Sequence, residues 1–420
     1  MKTQRTIYVY ADWLGMSAPM LMGLLRVQLL RKKEVFDFTY DREWLRSEYA
    51  TVVDPSLMLY EGTQYLADGK PNFGMFLDSA PDRWGRTLMQ RREAIDARHE
   101  QRPVRLLGEA DFLLGVFDGS RMGGLRFKDD ADGPFQEHRS AVAVPPWTYL
   151  RKLEQACRHI ERSDSHDELE DKWFSMLIDP GSSLGGARPK SNVVDAEGQL
   201  WIAKFPSRND HVDVGAWEYV THQLAQQSGI NVPEAKLLKL SDGYHTFLTK
   251  RFDRSSNGAR IHVASAMTML GRIDGEDHAA GVSYLDIVEV ISKLSPHPLR
   301  DLEQLFRRIV FNILVSNTDD HLRNHAFILR ESKWTLSPAY DMNPEPLGRG
   351  LRLNISEFDN SLSVDLARSV ADMFRIDKVG ADTLISEITK TVQSWNSVAE
   401  QVGIARNERE TMKSAFEKAK

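Results

Sequence analysis

The strongest periodic pattern in the chain is a run of apolar residues that recur every three or four positions between Leu302 and Leu314. Such spacing predicts a helix with a wide apolar face, which is stable only if that face is buried. The polar segment 316–324 follows at once, and two short apolar stretches then flank a polar turn between residues 326 and 336. We therefore expect a buried helix that leads through a polar loop into a β-hairpin. The periodic residues are Leu302, Leu305, Phe306, Ile309, Val310, Ile313 and Leu314.

The polar loop and the segment after the hairpin carry three side chains with the spacing of a phosphotransfer site. Asp319 precedes Asn324 by five positions, and Asp341 follows Asn324 by seventeen. Phosphoryl transfer needs one carboxylate that accepts the proton of the attacking hydroxyl, and an amide and a carboxylate that hold Mg²⁺ on the phosphates. The spacing therefore indicates the catalytic half of a protein-kinase-like phosphotransferase. A structural alternative also fits, with Asp319 or Thr318 as a helix-related cap, Asn324 as a turn former and Asp341 as a loop acid.

Residues 191–251 read in the order strand, strand, helix, strand, which is typical of a small nucleotide-binding lobe. Lys204 lies in an apolar strand, where its ammonium group needs a partner such as a phosphate or Glu218 of the following helix. Lys204 as a strand lysine that reaches water, and Glu218 as a solvated helix charge, are the alternatives. The Gly-rich segment 182–190 precedes the first strand and could present backbone N–H groups to phosphates, although a surface turn explains it equally well.

Composition limits the classes of function. The 420 residues carry 54 basic and 60 acidic side chains, a net charge of −6, which argues against a general nucleic-acid binder. The single cysteine, Cys157, excludes an internal disulfide framework and a cysteine-based zinc cage. The most apolar stretch near the start, residues 18–25, is far shorter than the ~18 residues that span a bilayer. We expect a soluble cytoplasmic protein with no membrane association.

Taken together, these segments resemble the HipA family of bacterial serine/threonine kinases, the toxins of toxin–antitoxin pairs. The N-terminal segments 73–86 and 111–127 look like the non-kinase domain of that family. The resemblance implies an α+β, protein-kinase-like two-lobed fold with an additional N-terminal α/β subdomain. The implied parts are an N-terminal subdomain at 1–140, a small β-rich lobe with the Gly-rich loop at 147–255, and a helical C-terminal lobe at 256–420. The resemblance is carried by SLGGARPK at 183–190, WIAKFP at 201–206, KRFDR at 250–254, NTDDHLRNHAF at 317–327 and LSPAYDMNP at 336–344.

Position by position, the resemblance implies ATP and Mg²⁺ as cofactors and Asp319 as the catalytic base. It implies Asn324 and Asp341 as the Mg²⁺ ligands. The implied nucleotide contacts are Lys204 and His321 near the phosphates, Gly185 and Gly186 of the Gly-rich loop, and a hinge around adenine at Lys250 and Phe252 with Tyr340 nearby.

In this family the serine of the Gly-rich loop is autophosphorylated, which expels the loop and inactivates the kinase. Ser183 is the matching residue, with Ser182 as its neighbour. A dianionic phosphate on a loop that should bind ATP phosphates would repel them.

Three residues or segments depart from related patterns. Thr318 stands before Asp319 where ordinary protein kinases have an arginine, and no Ala-Pro-Glu follows Asp341. The arginine that reads a phosphorylated activation loop is therefore absent, so we do not expect conventional activation-loop control. Arg188 stands where the family frequently has glutamine.

The resemblance further implies a protein substrate such as an aminoacyl-tRNA synthetase, with inhibition of translation and growth as the outcome. It implies a small helix-turn-helix antitoxin of the HipB type as partner, so that DNA would be contacted mainly through that partner. A small-molecule kinase and a kinase-shaped binding module or co-repressor without turnover are the alternatives.

A transition-metal site formed by Asp319, Asp320, His321 and His325 is a further alternative. Four adjacent ligands on one loop do not easily face one ion. We therefore expect Asp320 to be a solvated loop acid and His325 to be packed or hydrogen-bonded.

Overall fold

The computed structural model describes residues 4–31, 33–136, 144–162, 177, 186 and 188–419. The chain divides into two compact units. The first contains Met1–Arg208, Asp253–Ala264 and Leu329–Ser332, and the second contains Asn209–Phe252, Ser265–Ile328 and Lys333–Lys420. The first unit thus includes both the predicted N-terminal subdomain and the segment with Lys204, while the division into three domains stays a prediction.

A five-stranded antiparallel sheet organises the N-terminal part of the first unit. Its strands are β1 (Gln4–Ala11), β2 (Met20–Leu30), β3 (Lys33–Tyr40), β4 (Thr63–Tyr65) and β5 (Leu125–Lys128), in the order β4-β3-β2-β1-β5. Alternate residues of β1, from Ile7 to Ala11, are buried, as a strand with one face on the core requires. The close approach of β3 explains the glycine at position 23, because a Cβ there would lie 2.4 Å from the carbonyl oxygen of Thr39.

Within the described residues of this unit there are five α-helices, and a buried arginine connects two of them. Arg121 is fully buried and donates at 2.8 Å to the main-chain carbonyls of Ser79, Leu113 and Val116. These carbonyls lie at or just after helix C-termini, where main-chain acceptors lack helical partners. Burial lowers the pKa of Arg121 to about 9. The helices are α1 (Arg42–Arg46), α2 (Gly74–Ser79), α3 (Arg83–His99), α4 (Glu109–Leu114) and α5 (Leu150–Arg162).

The first unit also contains the predicted strand pair around Lys204. Strands β6 (Lys190–Val194) and β7 (Leu200–Lys204) pair antiparallel. Asp195 closes the turn between them, since its carboxylate accepts from the backbone N–H groups of Glu197 and Gln199 at 3.1 and 2.7 Å. The pair confirms the two consecutive strands that the sequence predicts at the start of residues 191–251.

The second unit is mostly helical, and its central helix is the one that the apolar period predicts. This helix runs over Pro298–Leu314, with proline at its first turn, and buries all seven of the periodic residues. The helices of the unit are α6 (Val214–Gln227), α7 (Ala266–Met269), α8 (Tyr284–Leu294), α9 (Pro298–Leu314), α10 (Val364–Ser369), α11 (Lys378–Val392), α12 (Trp395–Val402) and α13 (Arg406–Met412).

The other strands of the chain are short. Strands β8 (Ala235–Leu238) and β9 (Thr246–Lys250) pair antiparallel. Strand β10 (His262–Ser265) precedes α7, and the strands β11 (Ala326–Arg330) and β12 (Lys333–Leu336) form the predicted hairpin. Its turn residues Glu331 and Ser332 both have left-handed backbone, with φ of 50° and 58°. In the part of the chain that the structure describes, no helix is both long and apolar enough to span a bilayer.

Candidate active site

Asp319 lies at the exposed side of the loop that follows α9. Its side chain is 77% exposed, and its Oδ1 lies 3.3 Å from Nε of Arg352. Nη1 of the same arginine lies 3.4 Å from Oδ2 of Asp277. A carboxylate that is oriented by an arginine yet open to solvent can meet the hydroxyl of an incoming substrate. Sequence reasoning did not identify Arg352, because it lies 33 positions from Asp319 and outside every recognised motif.

Asn324 is buried in the single 3₁₀ turn, Leu322–Asn324, that ends this loop. Its Nδ2 donates to the main-chain carbonyl of Asp319 across 3.2 Å. Its Oδ1 is buried and has no hydrogen-bond partner among the described residues. Buried polar atoms are normally paired, so an orphaned amide oxygen at this position indicates a ligand.

Asp341 lies after the hairpin in a left-handed backbone conformation, with φ of 59°. Its Oδ1 accepts from Nδ2 of Asn343 at 3.3 Å. The backbone N–H of Asn343 donates in turn to Oδ1 of Asn317, across 3.3 Å, and Nδ2 of Asn317 donates to Oδ1 of Asn312 at 3.0 Å. Asn317 thereby links the segment that carries Asp341 to the end of α9 and to the loop of Asp319.

A second set of hydrogen bonds anchors the loop of Asp319 to the protein interior through Asp320. Oδ2 of Asp320 accepts from the hydroxyl of Tyr284 at 2.6 Å, from Nδ2 of Asn312 at 2.9 Å and from Nε2 of His325 at 2.8 Å. Asp320 is only 3% exposed, so the expectation of a solvated loop acid is wrong. Three donors from α8, α9 and the start of the hairpin replace its water. His325 is packed and hydrogen-bonded, as predicted.

The electrostatics of this buried cluster follow from those contacts. Burial acts to raise the pKa of Asp320, but the neighbouring His325 and the hydrogen bonds from His325 and Tyr284 outweigh it and lower that pKa below its usual value. Burial, followed by the charge of Asp320, raises the pKa of Tyr284 well above its ordinary value. The sequence offers one signal for this cluster, since Asn312 is a polar residue within the buried periodic helix.

His321 stands directly before the 3₁₀ turn. Its Nδ1 is buried and makes no hydrogen bond within the described part of the chain. His321 therefore has a ring nitrogen that makes no hydrogen bond among the described residues, in the same loop as Asp319 and Asn324. Its contact with phosphate stays a prediction.

The three residues that the sequence assigns to adenine lie in the second unit. The rings of Phe252 and Tyr340 have centroids 5.5 Å apart and are inclined by 34°. The hydroxyl of Tyr340 donates to the main-chain carbonyl of Arg323 at 2.7 Å, which fixes the ring against the loop that carries Asp319 and Asn324. The backbone N–H of Lys250 is bonded to the carbonyl of Glu234 at 2.8 Å. The structure thus brings Phe252 and Tyr340 together, with Lys250 at the end of β9.

The remaining predicted residues belong to other elements. Lys204 ends β7 and is half-buried. Gly186 has φ of 105°, a conformation that favours glycine. Glu218 is buried in α6, so the alternative of a solvated helix charge is wrong, while its pairing with Lys204 stays a prediction. Ser182, Ser183 and Gly185 lie outside the described residues.

The donor set fits Mg²⁺ better than a transition metal. Mg²⁺ prefers oxygen ligands such as carboxylates, and the orphaned amide oxygen of Asn324 and the carboxylate of Asp341 are of that kind. Asp320 and His325, in contrast, are bonded to each other at 2.8 Å and buried. Within the described ranges no group of three or more His, Cys, Asp or Glu side chains is arranged to hold a metal ion.

Comparison with known proteins identifies similar sequences. A family model described as the HipA-like C-terminal domain matches residues 182–407, more than half of the chain. A Haemophilus influenzae protein named as a candidate kinase is 30% identical over 180 residues, which are 38% of this chain and 52% of that protein. The serine/threonine-protein kinase toxin HipA of Shewanella oneidensis is 26% identical over 232 residues, which are 48% of this chain and 51% of the toxin. The matches span about half the length of these curated relatives.

A solved structure agrees with the fold over nearly the whole chain. The complex of Shewanella oneidensis HipA and HipB with operator DNA contains a chain that matches with a TM-score of 0.65 and 18% identity. The match covers 98% of this chain and 95% of that one. This similarity confirms the predicted α+β, protein-kinase-like two-lobed fold.

Proposed function

This chain belongs to the HipA family, and on that premise we propose that it is an ATP-dependent serine/threonine protein kinase. The observation that supports this most strongly is the buried Oδ1 of Asn324, in the loop that also carries Asp319, which has no hydrogen-bond partner among the described residues. An unpaired buried oxygen costs free energy, and a cation bound together with the nucleotide would compensate for that cost. The exposed carboxylate of Asp319 beside it is open to a substrate hydroxyl.

In the proposed reaction, Asp319 accepts the proton of a serine or threonine hydroxyl while that oxygen bonds to the γ-phosphorus of ATP. The bond from this phosphorus to the oxygen that bridges it to the β-phosphate breaks, and ADP leaves with the electron pair. Asn324 and Asp341 are the proposed ligands of Mg²⁺, which would neutralise charge on the phosphates when bound. The proposed phosphate contacts are Lys204, His321, Gly185 and Gly186.

Adenine is proposed to lie against the hinge at Lys250 and Phe252. The packing of Tyr340 on Phe252, and its hydroxyl bond to the loop, support this assignment, since an aromatic pair offers an apolar face to a purine ring. Because Tyr340 is one residue from Asp341, adenine binding and metal binding would be coupled through a short segment.

We further propose that the kinase is switched off by autophosphorylation of Ser183, with Ser182 as the neighbouring candidate. The motif SLGGARPK at 183–190 supports this assignment, together with the repulsion that a loop phosphate would exert on ATP.

The proposed biological role is that of a cytoplasmic toxin that phosphorylates a protein such as an aminoacyl-tRNA synthetase and inhibits translation and growth. A helix-turn-helix antitoxin of the HipB type is the proposed partner. The solved Shewanella oneidensis complex contains HipA, HipB and operator DNA, which supports this choice. The net charge of −6 supports an arrangement in which DNA is contacted mainly by that partner.

A transfer assay tests the proposal. The purified protein is incubated with Mg²⁺ and ATP labelled at the γ-phosphate, in the presence of a cell lysate that contains both proteins and metabolites. We expect label on serine or threonine of the protein itself or of a lysate protein. Label on metabolites alone would indicate a small-molecule kinase. ATP·Mg²⁺ that neither binds nor transfers would indicate a binding module without turnover.

A further inference from the structure

A buried ion pair joins the end of the Gly-rich segment to the N-terminal part of the same unit. Lys190 is the last residue of that segment and the first of β6, and its Nζ lies 2.9 Å from Oδ2 of Asp82. The two side chains are 2% and 0% exposed. Two charges this deeply buried are costly unless each compensates the other, so the pair fixes the place of Lys190.

Asp82 is itself held in place. It is the N-cap of α3, and its Oδ1 accepts from the backbone N–H of Gly85 at 2.8 Å. The positive end of a helix of 17 residues favours the carboxylate there. If Lys190 moved, Asp82 could move with it only by losing the hydrogen bond that caps α3.

Trp84, in the first turn of α3, adds two contacts to the same segment. Its backbone N–H donates to the carbonyl of Gly186 at 3.3 Å, and its indole Nε1–H donates to the carbonyl of Lys190 at 3.1 Å. These carbonyls belong to both ends of the stretch 186–190. Together with the ion pair, these two hydrogen bonds give the start of α3 three contacts with the C-terminal end of the Gly-rich segment.

The register of the strand pair relates these contacts to the proposed phosphate-binding lysine. Lys190 lies directly opposite Lys204 in the antiparallel pair of β6 and β7. Residues directly opposite each other share a face of the sheet, and like charges at such positions repel. Asp82 compensates the charge of Lys190. Lys204, on the neighbouring strand, is the lysine that the proposed function assigns to ATP phosphates.

We propose that Asp82 and Trp84 are positioning residues for nucleotide binding, through which the N-terminal part of the chain holds Gly186 and Lys190, at the end of the Gly-rich segment, in place. This inference rests on the proposed kinase function. It also gives the segment PDRWGR at 81–86, which supplies no proposed catalytic group, a defined role in ATP affinity.

The test measures ATP·Mg²⁺ binding, steady-state kinetics and thermal unfolding on the full chain. The variants are Asp82→Asn, which removes the negative charge but keeps a capping side chain, and Trp84→Phe, which keeps an aromatic ring but removes the indole N–H. The control is Asp41→Asn, since Asp41 also caps a helix of this unit, α1, but forms no ion pair within the described part of the chain. We expect both test variants to bind ATP about tenfold more weakly, with KM for ATP raised and kcat nearly unchanged. The control should retain wild-type affinity.

The outcomes separate a failure of this inference from a failure of the kinase proposal. Wild-type ATP affinity in Trp84→Phe, or in folded Asp82→Asn, would overturn the inference and leave the kinase proposal intact. If Asp82→Asn fails to fold, Trp84→Phe carries the test, because it changes no charge. Equal loss of affinity in Asp41→Asn would show a general effect of stability and overturn the inference. A wild-type protein that binds no ATP would instead refute the kinase proposal, and the inference with it.

Discussion

The side-chain amide of Asn324 donates to the main-chain carbonyl of Asp319 across 3.2 Å, which leaves its buried Oδ1 with no partner in the described part of the chain. A hydrogen bond within one turn of the chain therefore connects the proposed metal ligand to the backbone of the proposed base. The orientation of the amide is set before any cation binds, which is the preorganisation that phosphoryl transfer requires.

Replacing Asn324 by Leu removes the proposed ligand oxygen and keeps a side chain of similar size. We expect kcat with ATP·Mg²⁺ to fall at least about 100-fold, because a ligand to the metal is lost. Isothermal titration supplies the control, since the affinity for ATP in EDTA should match that of the wild type. A variant with wild-type turnover would exclude Asn324 as a ligand.

The contact between Phe252 and Tyr340 should determine the affinity for adenine. Tyr340→Ala removes the ring that packs at 5.5 Å, and we expect KM for ATP to rise about tenfold, a loss typical of an aromatic contact. Tyr340→Phe is the matched control, because it removes only the hydroxyl bond to Arg323 and keeps the ring. The assignment fails if KM for ATP is the same in Tyr340→Ala and in the wild type.

Arg352 should act through the base that it contacts. In Arg352→Ala, the carboxylate of Asp319 loses the guanidinium at 3.3 Å, and we expect kcat to fall about tenfold with KM for ATP unchanged. Arg349→Ala is the control, since Arg349 is exposed on the same segment. Equal kinetics in the two variants would mean that Arg352 does not position Asp319.

The buried carboxylate of Asp320 should make stability depend on acid pH. Its pKa is lower in the folded chain than the value of about 3.9 expected after unfolding, so its contribution is complete above pH ~4 and is lost as pH falls through the folded pKa. We expect Asp320→Asn to lower the free energy of unfolding at pH 7 by roughly 2–4 kcal/mol, because it weakens the hydrogen bonds of a buried charge. The difference from wild type should shrink below pH 4.

Urea denaturation at pH 7 and pH 3 measures this difference. Glu357→Gln is the control, since it removes a negative charge from an exposed position and should leave the free energy of unfolding unchanged. A difference between Asp320→Asn and wild type that is the same at both pH values would contradict the assigned linkage.

Much of the helical unit could be predicted from local sequence. The apolar period identifies α9 and the flanking strand patterns identify the hairpin, because both signals arise from residues adjacent in sequence. Local composition does not indicate strand β2, since Gly23 and its methionine and leucine neighbours lack the β-branched residues typical of a strand. The glycine is explained only by the approach of β3.

The candidate residues of the site could be proposed from the sequence, whereas the contacts that surround them could not. Asp319, Asn324 and Asp341 are identified by spacing, which is a local property. The burial of Asp320 depends on Tyr284, 36 positions away, and the contact of Asp319 with Arg352 spans 33. Such pairings depend on tertiary structure, so a single sequence gives no pattern for them.

Mass spectrometry of the wild type and of Asp319→Ala, each incubated with ATP and Mg²⁺, tests the assigned reaction most directly. We predict phosphate on the peptide that contains Ser183 in the wild type and none above background in the variant, because the base that accepts the hydroxyl proton is gone. Phosphate at Ser183 in the variant equal to that in the wild type would contradict the role of Asp319.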